Sequence, residues 1–147
     1  MKPFVFRLEK VLKYRRHLLD KARLDVSAAR DRAREAREAL SRLSRQRHEA
    51  SKNLGREGAR TMTAFRYRLH QNFLDGLDRD LDEAHVRLRK GEERVTSRER
   101  ALASAHIRKK IIETLKDRQW KAHRETSARA AQKEMDDMVL INRGRVT

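Results

Sequence analysis

The chain has 147 residues, with 38 Lys and Arg against 22 Asp and Glu, a formal net charge of +16, and no cysteine. A disulfide scaffold and a thiolate-ligated zinc site are excluded, since both need thiols, and the length allows one domain. The apolar share is 37%, below the roughly 45–50% of compact globules. No apolar run approaches the ~18–20 residues of a membrane span. The opening Met1-Lys2-Pro3-Phe4-Val5-Phe6-Arg7 lacks the apolar stretch and small-residue cleavage site of a secretory signal, so a soluble, cytoplasmic chain is expected.

High charge alone would suit disorder, but disorder holds no register. Stepping from Val5 by alternate threes and fours gives Val5, Leu8, Leu12, Arg15, Leu19, Ala22, Val26, Ala29, Ala33, Ala36, Leu40, Leu43, Arg47, Ala50 and Leu54, thirteen of the fifteen apolar. A period of 3.5 sustained over this length specifies a narrow helical seam. The spacing predicts a helix over about 3–54. Gly55 and Gly58 then read as its end, because glycine weakens a helix interior and takes left-handed geometry cheaply.

Thr61 or Thr63 can cap a second helix over about 64–141. Its seam reads Phe73 or Leu74, Leu77, Leu81, Ala84, Leu88, Gly91, Val95, Arg98, Leu102 and Ala105. Past Ala105 the pattern drifts, with Ile107, Ile111, Ile112 and Leu115 on more than one face. The tail then turns sparse until Met135, Met138, Val139 and Ile141, and Asn142 to Thr147 reads as frayed. Two seams joined by a loop over about 55–63 predict an all-α fold, a long antiparallel coiled-coil hairpin treated as one domain over 1–147. With the turn near residue 59, Leu54 falls opposite Phe65, Ala29 opposite Gly91, and Leu8 opposite Ile111. At about 1.5 Å per residue the first helix spans about 75 Å, and the C-terminal helix overhangs it by roughly 30 residues, extended or folded back.

Motifs for catalysis are missing. Gly55 and Gly58 are followed by no Gly-Lys-Ser/Thr, so no phosphate loop is expected. His17, His48, His70, His85, His106 and His123 include no pair at three- or four-residue spacing that a helix could offer one metal. Asp78, Asp80, Asp82 and Glu83 are dense, but a carboxylate needs a concave, water-poor pocket to become an acid–base catalyst. The expectation is a non-enzymatic protein with no catalytic residue, cofactor or metal.

Residues 1–54 carry 16 basic and 7 acidic side chains, residues 55–100 carry 11 and 9, and residues 101–147 carry 11 and 6. In a hairpin the first and last segments share an end, which is then strongly positive and attracts acidic protein surfaces or nucleic acid. A basic coiled-coil nucleic-acid-binding protein is therefore the alternative reading. Against specific DNA recognition, Asp25, Asp31, Glu35 and Glu38 interrupt the basic stretch around Arg30 and Arg32, and the seam runs straight through it. Aromatic residues for stacking on single strands are few.

The opening Phe4-Val5-Phe6-Arg7-Leu8-Glu9-Lys10-Val11-Leu12 resembles the start of the flagellar export protein FliJ family, with its aromatic-Arg/Lys-Leu-X-X-Leu-Leu pattern. Met62-Thr63, Arg68 and Phe73-Leu74-X2-Leu77-Asp78 are similar to the family's second-helix entry. Lys133-Glu134-Met135-Asp136-Asp137 resembles its C-terminal signature. The likeness covers essentially the whole chain in order.

The resemblance implies an antiparallel coiled coil similar to the central-stalk gamma subunit of F-type ATPases. It implies a type III export component that enters the hexameric flagellar export ATPase, FliI, promotes its assembly, and links it to the gate protein FlhA and to export chaperones. Such a protein sits in the cytoplasm, peripheral at the cytoplasmic face of the inner membrane, and serves flagellum biogenesis and motility. Injectisome systems carry an equivalent stalk. Carried over, the ATPase-binding positions are Phe4, Phe6, Arg7, Leu8, Lys133, Met135, Asp136 and Asp137, and the gate-binding positions are Phe73 and Leu77. Asp80 departs from the family's small residue. Read as residues alone, Phe4, Phe6 and Leu8 suit a cover for the open end of the coil, and Phe73 and Leu77, at seam spacing, suit core packing. Trp120 suits either an interface or a fold-back onto the first helix.

Overall fold

The structure, a computed structural model, describes residues 2–145. It is all-α, as expected: two long helices, α1 (Glu9–Gly58) and α2 (Ala64–Arg145), pack against each other as a hairpin. By its contacts the chain divides into two compact units. One is Lys21–Leu102; the other is Met1–Asp20 with Ala103–Thr147.

Helix α1 begins six residues later than the periodicity predicts. Residues 2–6 belong to no helix or strand, and the first turn closes when the Glu9 amide donates to the Phe6 carbonyl at 3.2 Å and the Leu12 amide to the Leu8 carbonyl at 2.9 Å. The helical period does not yet apply there: Phe6 is buried at 6% exposure while Val5, expected in the seam, faces solvent at 76%.

The other end of α1 also differs. The helix runs through Gly55 to Gly58. A glycine inside a helix costs about 1 kcal/mol against alanine, but it ends a helix only by adopting left-handed geometry, and no described residue has positive φ. The chain leaves the helix through Ala59, whose amide donates to the Gly55 carbonyl at 3.3 Å, and Arg60, whose amide donates to the Glu57 carbonyl at 3.0 Å. Thr63 is the cap of α2, its hydroxyl accepting from the Arg66 amide at 3.3 Å.

In the unit Lys21–Leu102 the seam is built from buried Val26, Ala29 and Ala33 on α1 and buried Leu74, Leu77 and Ala84 on α2. The remaining predicted seam positions of α1 here, from Ala22 to Leu54, are half-buried. Ion pairs flank the contact: Arg98 to Asp25 at 3.9 Å, Arg30 to Glu99 at 2.9 Å, Arg37 to Glu92 at 3.5 Å and Arg47 to Asp78 at 3.0 Å. Exposed pairs contribute only about 0.2–1 kcal/mol each, so their main effect is to select one register. That register differs from expectation: Gly91 faces Ala33, one helical turn beyond Ala29. The reason is the later end of α1, which moves the turn from near residue 59 to residues 59–63.

In the unit Met1–Asp20 with Ala103–Thr147, Phe6, Leu12 and Leu19 are buried, with Leu12 fully enclosed. Half-buried Ala105 and Ile112 come from α2, interleaved with half-buried Lys109, Lys116 and His123. Glu9 meets Lys116, so Leu8 does not pair with Ile111, and Ile111 faces solvent. α2 continues as one helix to Arg145: it is extended there, and Asn142 to Arg145 are helical rather than frayed. Val146 and Thr147 lie outside the described residues.

A Cβ added at Gly91 would sit 3.5 Å from Ala33 Cα and 3.7 Å from its Cβ, ordinary van der Waals contact. Gly91→Ala should therefore stabilise the hairpin by about 1 kcal/mol through helix propensity, and Gly91→Leu should destabilise it by about 1–3 kcal/mol through overpacking. Denaturant unfolding followed by circular dichroism checks both signs.

Candidate functional site

Pro3 has a fixed φ and no backbone N–H, which suits an extended entry better than a helix interior. That entry docks on α2. The Phe4 ring sits edge-on to Trp120, with centroids 5.4 Å apart and planes at 62°, and lies 5.6 Å from the His123 ring. Trp120 and His123 stack at 6.4 Å and 12°. His123 donates from Nε2 to the Lys2 carbonyl at 3.1 Å, fixing the backbone just before Pro3. An edge-to-face aromatic pair adds about 0.5–1.5 kcal/mol beyond the area it buries.

One turn away, Lys116 serves two groups. Its Nζ lies 5.9 Å from the Phe6 ring centroid and donates to Glu9 Oε2 at 2.8 Å. Glu9 stands in the first turn of α1, where the helix dipole favours a carboxylate. Its carboxyl is held below the usual glutamate range, first by the hydrogen bond from Lys116; partial desolvation opposes, and the charges of Lys116, Arg16 and Lys13 add to the lowering. Glu113 continues the network, 3.8 Å from Arg16 and 3.4 Å from Lys109. Together these contacts clasp the N-terminal segment to α2.

Within this clasp Phe4 is half-buried and Phe6 buried, Leu8 is half-buried at the start of the seam, and Arg7 is exposed. Lys133, Met135, Asp136 and Asp137 all lie on the exposed C-terminal part of α2, where Gln132 donates to Asp136 at 3.0 Å. Met135, Met138, Val139, Leu140 and Ile141 are each more than half exposed. Trp120 packs on Phe4 of the N-terminal segment and keeps part of its surface in solvent.

The gate-binding pair of the sequence reading is split. Phe73 is 59% exposed, whereas Leu77 is 6% exposed and belongs to the seam. Phe65, Leu69 and Phe73, spaced four apart, form an exposed apolar strip near the turn. On the flank of that strip His70 Nε2 lies 2.8 Å from Glu57 Oε2. Sequence reasoning missed Phe65 and Leu69 as surface groups, although three apolar residues at a spacing of four outside the seam were a readable signal. It also missed Lys116, Glu9 and His123, whose partnership depends on the register.

The family model of the flagellar FliJ protein matches residues 4–145, from Phe4 of the clasp to the last described turn of α2. The chain belongs to the FliJ family. Neither a curated protein nor a solved structure matches it. Membership in the FliJ family implies a role connected with flagellar export. No helix among the described residues is long and apolar enough to cross a membrane, and among them no group of three or more His, Asp or Glu side chains gathers as a metal site.

The lowered Glu9 titration gives the clasp a direction in pH. Folded Glu9 binds its proton less tightly than in the unfolded chain, so its contribution is complete above the ordinary glutamate range and is lost as pH falls through the lowered value. Trp120 emission should therefore shift toward that of a solvated indole in acid, and Glu9→Gln should diminish this acid step. An identical acid step in Glu9→Gln would show that Lys116 and Glu9 do not hold the segment.

Proposed function

We propose that this FliJ-family chain is the non-enzymatic central stalk and coupling component of the flagellar type III export apparatus. In this reading its clasped N-terminal segment and the C-terminal part of α2 enter the ring of the export ATPase, FliI, and promote ring assembly and turnover. The unit that carries the turn is left available to the gate protein FlhA, through Phe73 with Phe65 and Leu69 beside it, and to export chaperones. Leu77 then acts from the seam, holding the turn of helix that presents Phe73. The chain would work in the cytoplasm, peripheral at the inner membrane through the apparatus.

The observation that supports this reading best is the bare apolar surface of Met135 to Ile141, on the same unit as the clasp. Contiguous exposed apolar side chains mark a surface that another molecule covers, and a ring interior covers a helix on all sides. Arg7, Lys10 and Arg145 are exposed on that unit and would steer it toward an acidic ring.

Added to the cognate ATPase under assembling conditions, the chain should raise its ATP turnover. The combined reversal Arg7→Glu, Lys10→Glu and Arg145→Glu should weaken the complex about tenfold at low salt and less as salt rises. Absence of stimulation with a verified, assembled ring would overturn the stalk reading, and unchanged affinity would remove its electrostatic part.

A further inference from the structure

Between Ala103 and Ala122, α2 is inverted relative to an ordinary amphipathic helix. Lys109, a side chain 19% exposed, lies toward α1 beside Glu113, while Ile107 is 58% exposed. Ile107, Ile111 and Leu115 advance by four residues, so they form one stripe about 6 Å from step to step. The half-buried set Ala105, Lys109, Ile112 and Lys116 occupies the other side. The stripe stays outside the core of this unit: Phe6, Leu12 and Leu19 of the N-terminal half are buried while Ile107 and Ile111 are more than half exposed.

The stripe has a charged border. Arg108, Lys110 and Arg118 flank it and enter no ion pair among the described residues, whereas Lys109 and Lys116 are committed to Glu113 and Glu9. The carboxylate on this side is Asp117. Cationic borders repel a second copy of the same stripe, so self-association is disfavoured. A lipid surface would accept the charge, but membrane-surface helices carry a broader apolar face with aromatic anchors, and here three aliphatic side chains stand alone. An amphipathic helix offers apolar side chains at a matching repeat, and acidic residues beside them would pair with the three uncommitted cations.

We propose that Ile107, Ile111 and Leu115, bordered by Arg108, Lys110 and Arg118, form a docking site for an acidic amphipathic α-helix of a protein partner. The site is separate from the terminal residues and from Phe73, and it does not depend on the stalk reading. The partner helix lays its apolar positions along the stripe and its carboxylates on the arginine and lysine border.

The test uses the full chain and two synthetic helical peptides. Both carry leucine at i, i+4, i+7 and i+11; one has glutamate at the flanking positions and the other lysine. Fluorescence anisotropy should show saturable binding of the glutamate peptide, about tenfold tighter than the lysine peptide. Ile107→Ser with Ile111→Ser should weaken it about tenfold, as expected for central apolar anchors. Lys110→Glu with Arg118→Glu, which leaves the stripe intact, should reverse the preference between the peptides. No saturable binding of the glutamate peptide below about 1 mM, or equal binding of both peptides, would overturn the proposal. So would binding of the chain to phosphatidylcholine–phosphatidylglycerol vesicles that is lost in the Ile107→Ser, Ile111→Ser variant, since the stripe would then serve a lipid surface.

Discussion

Everything in either unit depends on the apolar stripe of α1. A chain with a net charge of +16 repels itself, and its compact state survives only where apolar burial outweighs that repulsion. The stripe supplies this burial in a narrow form. Leu12 and Leu19 carry it near the N-terminus, and Val26, Ala29 and Ala33 carry it farther along. Small residues bury little area at about 25 cal/mol per Å². In the unit Lys21–Leu102 the alanines at the centre therefore hold the helices close without fixing which residues meet. The bordering pairs, such as Arg30 with Glu99 and Arg47 with Asp78, make that choice.

The two helices carry this constraint differently. α1 spends its apolar residues on the seam and keeps its outer faces charged. α2 divides its apolar residues between the seam and the solvent. Near the turn, Leu74 and Leu77 face inward while Phe65, Leu69 and Phe73 face outward; later, Ile112 is half-buried while Ile107 and Ile111 are exposed. A helix whose only task was to complete a hairpin would gain by placing isoleucine where Lys109 and Lys116 stand. Lys109 and Lys116 stand there instead, paired with Glu113 and Glu9, and this accounts for the loss of simple periodicity beyond Ala105.

The seam of α1 was readable in the sequence nearly residue by residue, because a 3.5-residue period needs no knowledge of the partner. Val5 failed for a local reason: the backbone from Lys2 to Phe6 is not helical, so the helical period does not reach it. The pairing of the helices was not readable. It depends on where the turn is centred, and Gly55 and Gly58 stayed helical because no left-handed turn claims them. Every misplacement of a pair, from Gly91 with Ala29 to Leu8 with Ile111, follows from that single displacement. Of the candidate site, Phe4 and Phe6 were named from motif, yet their partners Trp120, His123 and Lys116 lie more than a hundred residues away in sequence. No local pattern connects them. Leu77 could not be told from a surface residue until the face of α2 was known.

The clasp explains why a non-helical segment precedes a helix that could have begun earlier. Had residues 3–8 been helical, Phe4 and Phe6 would lie some 200° apart around the axis, and only one could face α2. In the non-helical segment both meet it, Phe4 at Trp120 and Phe6 at Lys116, and the cation of Lys116 is shared between the Phe6 ring and the Glu9 carboxylate. The first residues of the chain are thereby tied to the turns of α2 around Trp120 by aromatic, hydrogen-bonded and ionic contacts together. An N-terminus secured in this way does not fray from the helix it docks on. The clasp thereby gives mechanical continuity between the first residues of the chain and the turns of α2 from Lys116 to His123.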